Sequence, residues 1–182
     1  NVSVSDERAA DLLEELICKD LSIGVDSKTI NSVIPGLIPT FSVQLAEKYF
    51  DKPERVEGKT FALTKKIDGG RIIAIRENGE VSFYTRAGQK YEGLVDLAAE
   101  LFTTFPDGIV LDGEITLLAN PLGLSSKDQY KQTMKITRKD GEKHGVKMLV
   151  FDILTVEEFK TQKCEHTYDE RRQLLENLFG TT

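Results

Sequence analysis

Apolar and polar positions divide this chain into helices near both ends and strands between them. Apolar residues at helical spacing predict helices at residues 5–20, 27–34, 43–50, 93–105 and 168–179. Period-two patterns and short apolar runs predict strands between residues 61 and 84 and around Ile109 and Met148. The last helix is amphipathic. Antiparallel hairpins that alternate with a few helices predict the α+β class.

Two of these strands are predicted to form a hairpin. Asn78-Gly79 is a hairpin signal, and it separates residues 72–76 from the alternating run 81–84. Arg86 then follows the second strand, and the pairing brings it close to Arg71 at the strand end.

Carboxylates interrupt two otherwise apolar strands. Asp112 and Glu114 fall within residues 109–115, and Asp152 falls within residues 147–154. A carboxylate in an apolar run is costly unless it is paired or bound to a cation. For Glu114 we favour a metal or sugar-hydroxyl role over a structural ion pair, and for Asp152 we favour an orienting ion pair.

Residues 66–71 (KIDGGR) have the spacing K-x-D-G-x-R and are the main candidates for chemistry. An ordinary lysine is almost wholly protonated at neutral pH, so a nucleophilic lysine needs a neighbouring cation that favours the free amine. Arg71 and a divalent metal are the candidates. Asp68-Gly69 is turn chemistry, which would let a strand ending near Lys66 reverse and present the lysine at its rim. An Asp-Gly turn without a catalytic lysine is the alternative on these six residues alone.

Four segments, in this order, resemble motifs of the covalent nucleotidyltransferases, specifically the ATP-dependent DNA ligases. They are residues 66–71 (KIDGGR), 85–88 (TRAG), 111–114 (LDGE) and 150–152 (VFD). The resemblance implies a nucleotidyltransferase (ATP-grasp-like) domain with antiparallel sheets and flanking helices, preceded by a short helical segment.

A narrower resemblance involves residues 19–24 (KDLSIG) and 34–39 (IPGLIP). These segments look like the junction between the helical DNA-binding domain and the adenylation domain of T-even-phage-type DNA ligases. The junction and the TRAG segment weigh against an RNA ligase or mRNA-capping guanylyltransferase, which shares the lysine turn. That enzyme class stays open as an alternative.

The resemblance also implies how the nucleotide and the DNA would be handled. Lys66 would take AMP from ATP and release pyrophosphate. Arg71 and Arg86 would contact the nucleotide or the phosphate of the nicked strand, because a planar guanidinium pairs bidentately with phosphate oxygens.

The remaining implied site residues contact the ribose, the metal and the base. Glu114 would hold the ribose or a divalent metal, Mg²⁺. Phe151 would stack on adenine, although from composition alone a phenylalanine in an apolar strand is core. Thr64, two residues before the lysine, falls where the family contacts adenine.

The family pattern calls for a later E-G pair and a K-x-K strand, neither of which follows Asp152 in this sequence. We therefore expect a fragment, in which residues 1–36 are the C-terminal remnant of a DNA-binding domain. Residues 37–182 would be an adenylation domain truncated before its last motifs. Such a fragment would be weak or inactive alone, and a non-catalytic DNA-binding piece is a further alternative. The implied partner is nicked duplex DNA, and we expect a monomer.

Composition narrows the class of protein. With 40% hydrophobic residues the chain can bury an ordinary core, and it has no run of 18 apolar residues, so we expect no membrane span and no signal peptide. Cys18 and Cys164 are too few for a disulfide framework, which indicates a reducing compartment. We expect the cytoplasm of a bacterium or a phage-infected host cell. With no C-x-x-C and only two histidines, we expect no zinc site.

The net charge of −6 argues against a uniformly basic DNA-binding surface. A local basic series recurs every four residues, at Lys127, Lys131, Lys135, Lys139, Lys143 and Lys147. If residues 126–136 form a helix, the first three lysines line one face and could follow a phosphate backbone. The simpler interpretation, which we favour, is a solvated surface around Asp140-Gly141.

Overall fold

The structure is a computed structural model that describes residues 27–34 and 43–179. The chain divides into two compact units, Asn1–Thr40 and Phe41–Thr182. In the first unit, helix α1 (Ser27–Val33) confirms the prediction for residues 27–34. The helix predicted at residues 5–20 and the domain boundary predicted after residue 36 lie outside the described residues and stay predictions.

The second unit contains a five-stranded antiparallel sheet in the order β3-β2-β1-β4-β5. The strands are β1 (Gly70–Glu77), β2 (Glu80–Thr85), β3 (Lys90–Tyr91), β4 (Ile109–Leu117) and β5 (Val146–Thr155). Asn78 and Gly79 join β1 to β2 with φ angles of 55° and 74°, which confirms the predicted hairpin and its turn.

Helices flank the sheet. They are α2 (Val95–Thr104), α3 (Ser126–Thr137), α4 (Val156–Thr161) and α5 (Tyr168–Phe179), with short 3₁₀ helices at Tyr49–Asp51 and Pro53–Arg55. The predicted helices at residues 93–105 and 168–179 are confirmed within one or two residues, and the condition set for the basic series is met because residues 126–137 form a helix. An antiparallel sheet with flanking helices also confirms the α+β class. Among the residues that the structure describes, none of the helices has the length and apolar character needed to cross a bilayer.

Strand alternation gives the sheet two different faces. One face carries the main core, in which the strand residues Ile72, Leu111 and Ile115 pack with the helical residues Leu97, Leu101 and Leu175. The opposite face carries a smaller apolar cluster of Ile73, Val110 and Val156. The register pairs Arg71 with Glu114 and Ile73 with Asp112, so these polar residues lie on the second face. The sheet therefore carries the candidate site residues Arg71 and Glu114 on the face opposite the main core.

The helix predicted at residues 43–50 is wrong. Residues 43–48 have no regular structure, and only the 3₁₀ turn Tyr49–Asp51 follows them. Val43 packs against the second-face cluster, and the Gln44 carbonyl accepts a long hydrogen bond, 3.5 Å, from Arg71 Nη2. Contacts with the sheet thus override the helical propensity of this segment.

The strand prediction is also wrong for residues 61–69, which are not part of any strand. Phe61 and Leu63 are 58% and 89% exposed. A segment with an alternating pattern forms a strand only when a neighbouring strand pairs with it. None of the described strands pairs with residues 61–69. Asp68-Gly69 therefore does not join two strands.

Candidate functional site

Lys66 lies four residues before β1 in an exposed, irregular segment. Its side chain is 86% exposed, and Nζ lies 3.1 Å from Asp68 Oδ1. Thr64 is exposed two residues earlier. The lysine is accessible to a ligand, but its amine must leave the ion pair with Asp68 before it can act as a nucleophile.

Gly69 attaches the Lys66 segment to β4. Its N–H donates to Glu114 Oε1 at 3.2 Å. A Cβ atom at Gly69 would lie 2.3 Å from the Ile115 carbonyl oxygen and 2.7 Å from Glu114 Cγ, so only glycine fits there. Gly69 is not among the residues with positive φ. The sequence interpretation of Asp68-Gly69 as a turn is corrected accordingly: the glycine is required for close approach to β4.

Glu114 is a partly buried carboxylate opposite Arg71 in the β1–β4 register. Burial raises the pKa of Glu114, and the Gly69 N–H and the charges of Arg71 and Lys66 oppose that rise. Within residues 43–179, the ion pairs of the structure do not include Glu114. Its position suits a bound cation or a sugar hydroxyl, either of which would compensate the partial loss of solvent.

Arg71 is held by two partners on the second face. Its Nε and Nη2 donate to the two carboxylate oxygens of Asp112, and its guanidinium lies 4.8 Å from the centroid of the Phe151 ring. Burial raises the pKa of Asp112, and the hydrogen bonds and charge of Arg71 oppose this. A phosphate would have to use the remaining donors of Arg71 or displace Asp112.

Phe151 occupies a β-bulge between β4 and β5. Gly113 pairs with Val150 and Asp112 pairs with Asp152, which leaves Phe151 as the extra residue. The bulge brings the ring to Arg71, whose guanidinium covers one side of it. Stacking on adenine stays a prediction, and it would use the other side of the ring.

Asp152 is paired with an arginine of α5. Arg171 Nε and Nη2 donate to Asp152 Oδ1 and Oδ2 at 2.7 and 3.0 Å, and Arg171 Nη1 donates to the His166 carbonyl at 2.7 Å. The orienting ion pair expected for Asp152 is confirmed. Arg171 itself was missed, because an arginine in an amphipathic helix gives no local signal of the strand carboxylate that it will reach.

Arg86 follows β2 directly and is exposed. The last β1–β2 pair is Ile72 with Thr85, so the next positions along the two chains are Arg71 and Arg86. Thr85 Oγ1 accepts hydrogen bonds from the N–H groups of Ala87 and Gln89 and thereby orders the turn. The pairing ends before the two arginines, so their expected proximity and their roles both stay predictions.

The basic series divides into exposed and buried members. Lys127, Lys131 and Lys135 lie on α3 and are exposed, as the solvated-surface interpretation expects. Lys143 is only 6% exposed, and its Nζ donates to the carbonyls of Glu92 and Gly141 at 2.5 and 3.2 Å. The solvated-surface interpretation is therefore wrong for Lys143. One backbone partner, Glu92, lies 51 residues away in the sequence, and the other, Gly141, lies two residues before Lys143.

Comparisons with known proteins indicate the family to which this chain belongs. Residues 43–182 match the family model described as ATP dependent DNA ligase domain. The DNA ligase of Enterobacteria phage T4 is 32% identical over 117 residues, which cover 58% of this chain and 24% of that protein. The DNA ligase of Methanococcus maripaludis is 28% identical over 133 residues, which cover 69% of this chain and 22% of that protein.

A solved structure described as "Pmar-Lig_PreS3" superimposes with a TM-score of 0.63 at 26% identity, covering 90% of this chain and 38% of that one. The two DNA ligases of phage T4 and Methanococcus maripaludis are much longer, and this chain spans about a quarter of their length. The family match includes the whole sheet, the Lys66 segment and both carboxylate strands. The chain therefore belongs to the ATP-dependent DNA ligase domain family.

Proposed function

We propose that this chain performs the adenylation step of an ATP-dependent DNA ligase. The Lys66 amine attacks the α-phosphorus of ATP, so that an N–P bond forms, the bond to pyrophosphate breaks and the amine releases a proton. AMP then passes to the 5′-phosphate of a nicked duplex, and the 3′-hydroxyl displaces it to seal the strand. The observation that carries the proposal is the exposed Lys66 amine on a segment that Gly69 holds against Glu114.

This arrangement supports phosphoryl transfer because the reaction depends mainly on positioning and on stabilisation of charge. Lys66 is three residues from the Gly69 contact, which limits how far the lysine backbone can move from β4. The ion pair with Asp68 is exposed and therefore costs little to break. The amine can exchange this partner for the phosphate of a bound nucleotide.

Positive charge for the phosphates would come from two arginines and a divalent cation. Arg71 precedes and Arg86 follows the terminal β1–β2 pair, Ile72 with Thr85, and guanidinium groups match phosphate oxygens. Glu114 would hold Mg²⁺ or a ribose hydroxyl, since Mg²⁺ prefers carboxylate oxygen and burial raises the pKa of this carboxyl. When bound, Mg²⁺ neutralises charge on the phosphates.

The base would contact Phe151 and Thr64. Adenine would stack on the side of the Phe151 ring away from Arg71, and Arg71 keeps the ring near the phosphate-binding residues. Thr64 is exposed on the Lys66 segment and can contact the base through its main chain or its hydroxyl.

The DNA partner proposed is a nicked duplex, bound by a monomer in the cytoplasm of a bacterium or a phage-infected host cell. The exposed lysines of α3 form a local basic surface suited to a phosphate backbone, in a chain with net charge −6. This surface would supply affinity that does not depend on base sequence.

A labelling experiment tests the adenylation step. The 182-residue chain, and a form extended at both ends, are incubated with Mg²⁺ and ATP labelled at the α-phosphate. We expect the denatured protein to carry a label that is stable to alkali and released by acid, because the lysine–AMP bond is a phosphoramidate. Label is lost in Lys66→Ala and kept in Lys65→Ala, which removes an equal charge from the adjacent exposed position.

The extended form is expected to label more strongly, because the chain covers only about a quarter of its relatives. Label that survives Lys66→Ala would overturn the nucleophile assignment. Preferential labelling by GTP would favour the capping guanylyltransferase class. Absence of label from the extended form would favour a non-catalytic DNA-binding role.

A further inference from the structure

A short connection between α4 and α5 brings together three side chains outside the candidate nucleotide site. Both ends of the connection are fixed. Thr155 and Glu158 form a capping box at the start of α4, and Gln162 ends that helix in the left-handed conformation. The Thr167 N–H and hydroxyl donate to Glu170 at the start of α5. The loop between these caps is therefore held in a defined path.

Three potential metal ligands meet at this loop. Glu158 Oε1 lies 3.2 Å from Cys164 Sγ and 3.0 Å from His166 Nδ1. The ligand atoms of the three residues all lie within 4.8 Å of one another. In a tetrahedral zinc site with bonds of about 2.0 to 2.3 Å, ligand atoms are separated by about 3.3 to 3.7 Å. The observed spacing needs only small side-chain shifts to reach that geometry.

We propose that Glu158, Cys164 and His166 bind a divalent transition-metal ion, with Zn²⁺ as the ion that they fit best. A thiolate, an imidazole and a carboxylate are the three ligand types that zinc takes in proteins, whereas Mg²⁺ and Ca²⁺ prefer oxygen alone. On binding, the Cys164 thiol releases its proton to solvent, neutral His166 coordinates through Nδ1, and Glu158 coordinates through Oε1. Water completes the fourth position.

The surroundings suit the ion. Glu158 Oε2 accepts hydrogen bonds from the Thr155 N–H and hydroxyl at 2.8 and 2.9 Å, which orients the carboxylate and leaves Oε1 for the metal. Arg171 is a nearby cation, and Asp152 matches its charge in a bidentate pair. The half-exposed His166 side chain gives the ion a path from solvent.

A bound ion would also affect Asp152, a residue of β5. Arg171 donates to the His166 carbonyl as well as to Asp152. An ion that fixes residues 164–166 therefore also limits movement of Arg171. The sequence pattern showed no sign of this cluster. Glu158 lies on the preceding helix, six residues before Cys164, and the short Cys164-x-His166 spacing does not reveal that the three side chains meet.

Metal titration of the 182-residue chain tests the proposal independently of adenylation. Zn²⁺ is titrated by calorimetry, and Co²⁺ is used as an optical probe whose thiolate charge-transfer band reports a Cys ligand. We expect one ion per chain and such a band. Cys164→Ser and His166→Gln should each weaken binding by more than about 100-fold, beyond the loss typical of an outer-shell change.

The matched controls are Cys18→Ser and His144→Gln, which remove the other cysteine and the other histidine of the chain. Both should bind Zn²⁺ as the unchanged protein does. Thr155→Ala should weaken binding by about 10-fold to 100-fold through the carboxylate that it orients. Unchanged affinity in Cys164→Ser, a Co²⁺ spectrum without a thiolate band, or loss of binding in a control would each overturn the proposal. Circular dichroism of every variant confirms that it is folded.

Discussion

Arg171 on α5 and Asp152 on β5 form a bidentate ion pair, with Nε–Oδ1 and Nη2–Oδ2 distances of 2.7 and 3.0 Å. The two side chains are 16% and 25% exposed. Asp152 is the register partner of Asp112, whose own arginine is Arg71. Two adjacent carboxylates are thus each paired with one arginine. The arginine for Asp112 comes from the sheet, and the arginine for Asp152 comes from α5.

Replacing Arg171 with Gln should destabilise the fold by about 2 to 4 kcal/mol, because it leaves a partly buried carboxylate without its partner. Burial raises the pKa of Asp112, and the charge of Asp152 adds to that rise. Without Arg171 to balance the charge of Asp152, the neighbouring Asp112–Arg71 pair would therefore be weaker. Denaturant unfolding measures the effect. Removing both members, in Arg171→Gln with Asp152→Asn, should recover part of the lost stability.

The control for this prediction is Arg172→Gln. Arg172 pairs with Glu176 one helical turn away at 2.9 Å, and the two side chains are 47% and 37% exposed. An exposed pair of this kind contributes about 0.3 to 0.5 kcal/mol. Equal losses for Arg171→Gln and Arg172→Gln would show that the Asp152 pair has no special importance.

Gly69→Ala should separate the Lys66 segment from β4. The added Cβ would lie 2.3 Å from the Ile115 carbonyl oxygen, which is backbone and cannot move aside easily. We expect a stability loss of about 1 to 3 kcal/mol and a strong reduction in Lys66 labelling by ATP. Gel-based labelling and denaturant unfolding give the two readouts.

Gly58→Ala is the comparison for this variant. Gly58 has a φ of 72°, and a Cβ atom added there would meet nothing within 4 Å, so Ala costs about 1 to 2 kcal/mol of backbone strain only. Labelling at Lys66 should be kept. If both variants label equally well, the Gly69 contact does not position the lysine.

Lys143→Met should cost about 1 to 3 kcal/mol, because it removes the donor for two carbonyl groups in a buried position. Methionine keeps most of the side-chain volume, so the loss reports hydrogen bonding and not a cavity. Thermal or denaturant unfolding measures it. Lys139→Met, at an exposed position of the same basic series, should change stability by less than about 0.5 kcal/mol.

Local signals predicted the parts of the fold that local contacts determine. The hairpin at Asn78-Gly79 follows from residues that favour positive φ, and both residues have it. The helix predicted at residues 43–50 failed because Val43 and Gln44 contact the sheet, which lies far away in the sequence. Propensity carries no information about such contacts.

Site residues show the same division. The K-x-D-G-x-R spacing made Lys66 a candidate, and Glu114 stood out as an unusual carboxylate, because each departs from its local pattern. The Arg171–Asp152 pair and the bulge at Phe151 depend on how β4, β5 and α5 pack. Gly69 was identified for the wrong reason, since a glycine required by close approach and one required by a turn are identical in sequence.

The pKa of His144 should lie above its ordinary value. Its Nδ1 lies 2.8 Å from Asp96 Oδ2, and Asp96, followed by Glu142, raises the pKa of the imidazole. A raised folded-state pKa means that the contribution to stability is complete below about pH 6.5 and is lost as pH rises through the folded pKa. NMR titration of the imidazole measures the midpoint, and Asp96→Asn should lower it more than Glu142→Gln does.

The unfolding free energy gives an independent check of the sign. The difference between the unchanged protein and His144→Gln should be largest in mildly acidic solution and should shrink toward alkaline pH. Because His144 is exposed, the difference should also shrink when salt is added. A difference that grows with pH would contradict the assignment of Asp96 as the partner.

The exposed lysines of α3 should contribute to binding of nicked duplex DNA. Each lysine that neutralises one phosphate adds about 0.9 to the slope of log affinity against log salt concentration. Lys131→Ala with Lys135→Ala should therefore reduce that slope by up to about 2 and weaken binding at low salt. Fluorescence anisotropy across a salt series measures both quantities.

The control must remove two positive charges elsewhere, because net charge alone changes DNA affinity. Lys160→Ala with Lys163→Ala does so at exposed positions at the end of α4 and just after it. If contacts on α3 are responsible, only the Lys131 and Lys135 variant reduces the slope, whereas an effect of overall charge lowers affinity equally in both. An unchanged slope in the α3 variant would remove this helix face from the interface and leave its lysines as a solvated surface.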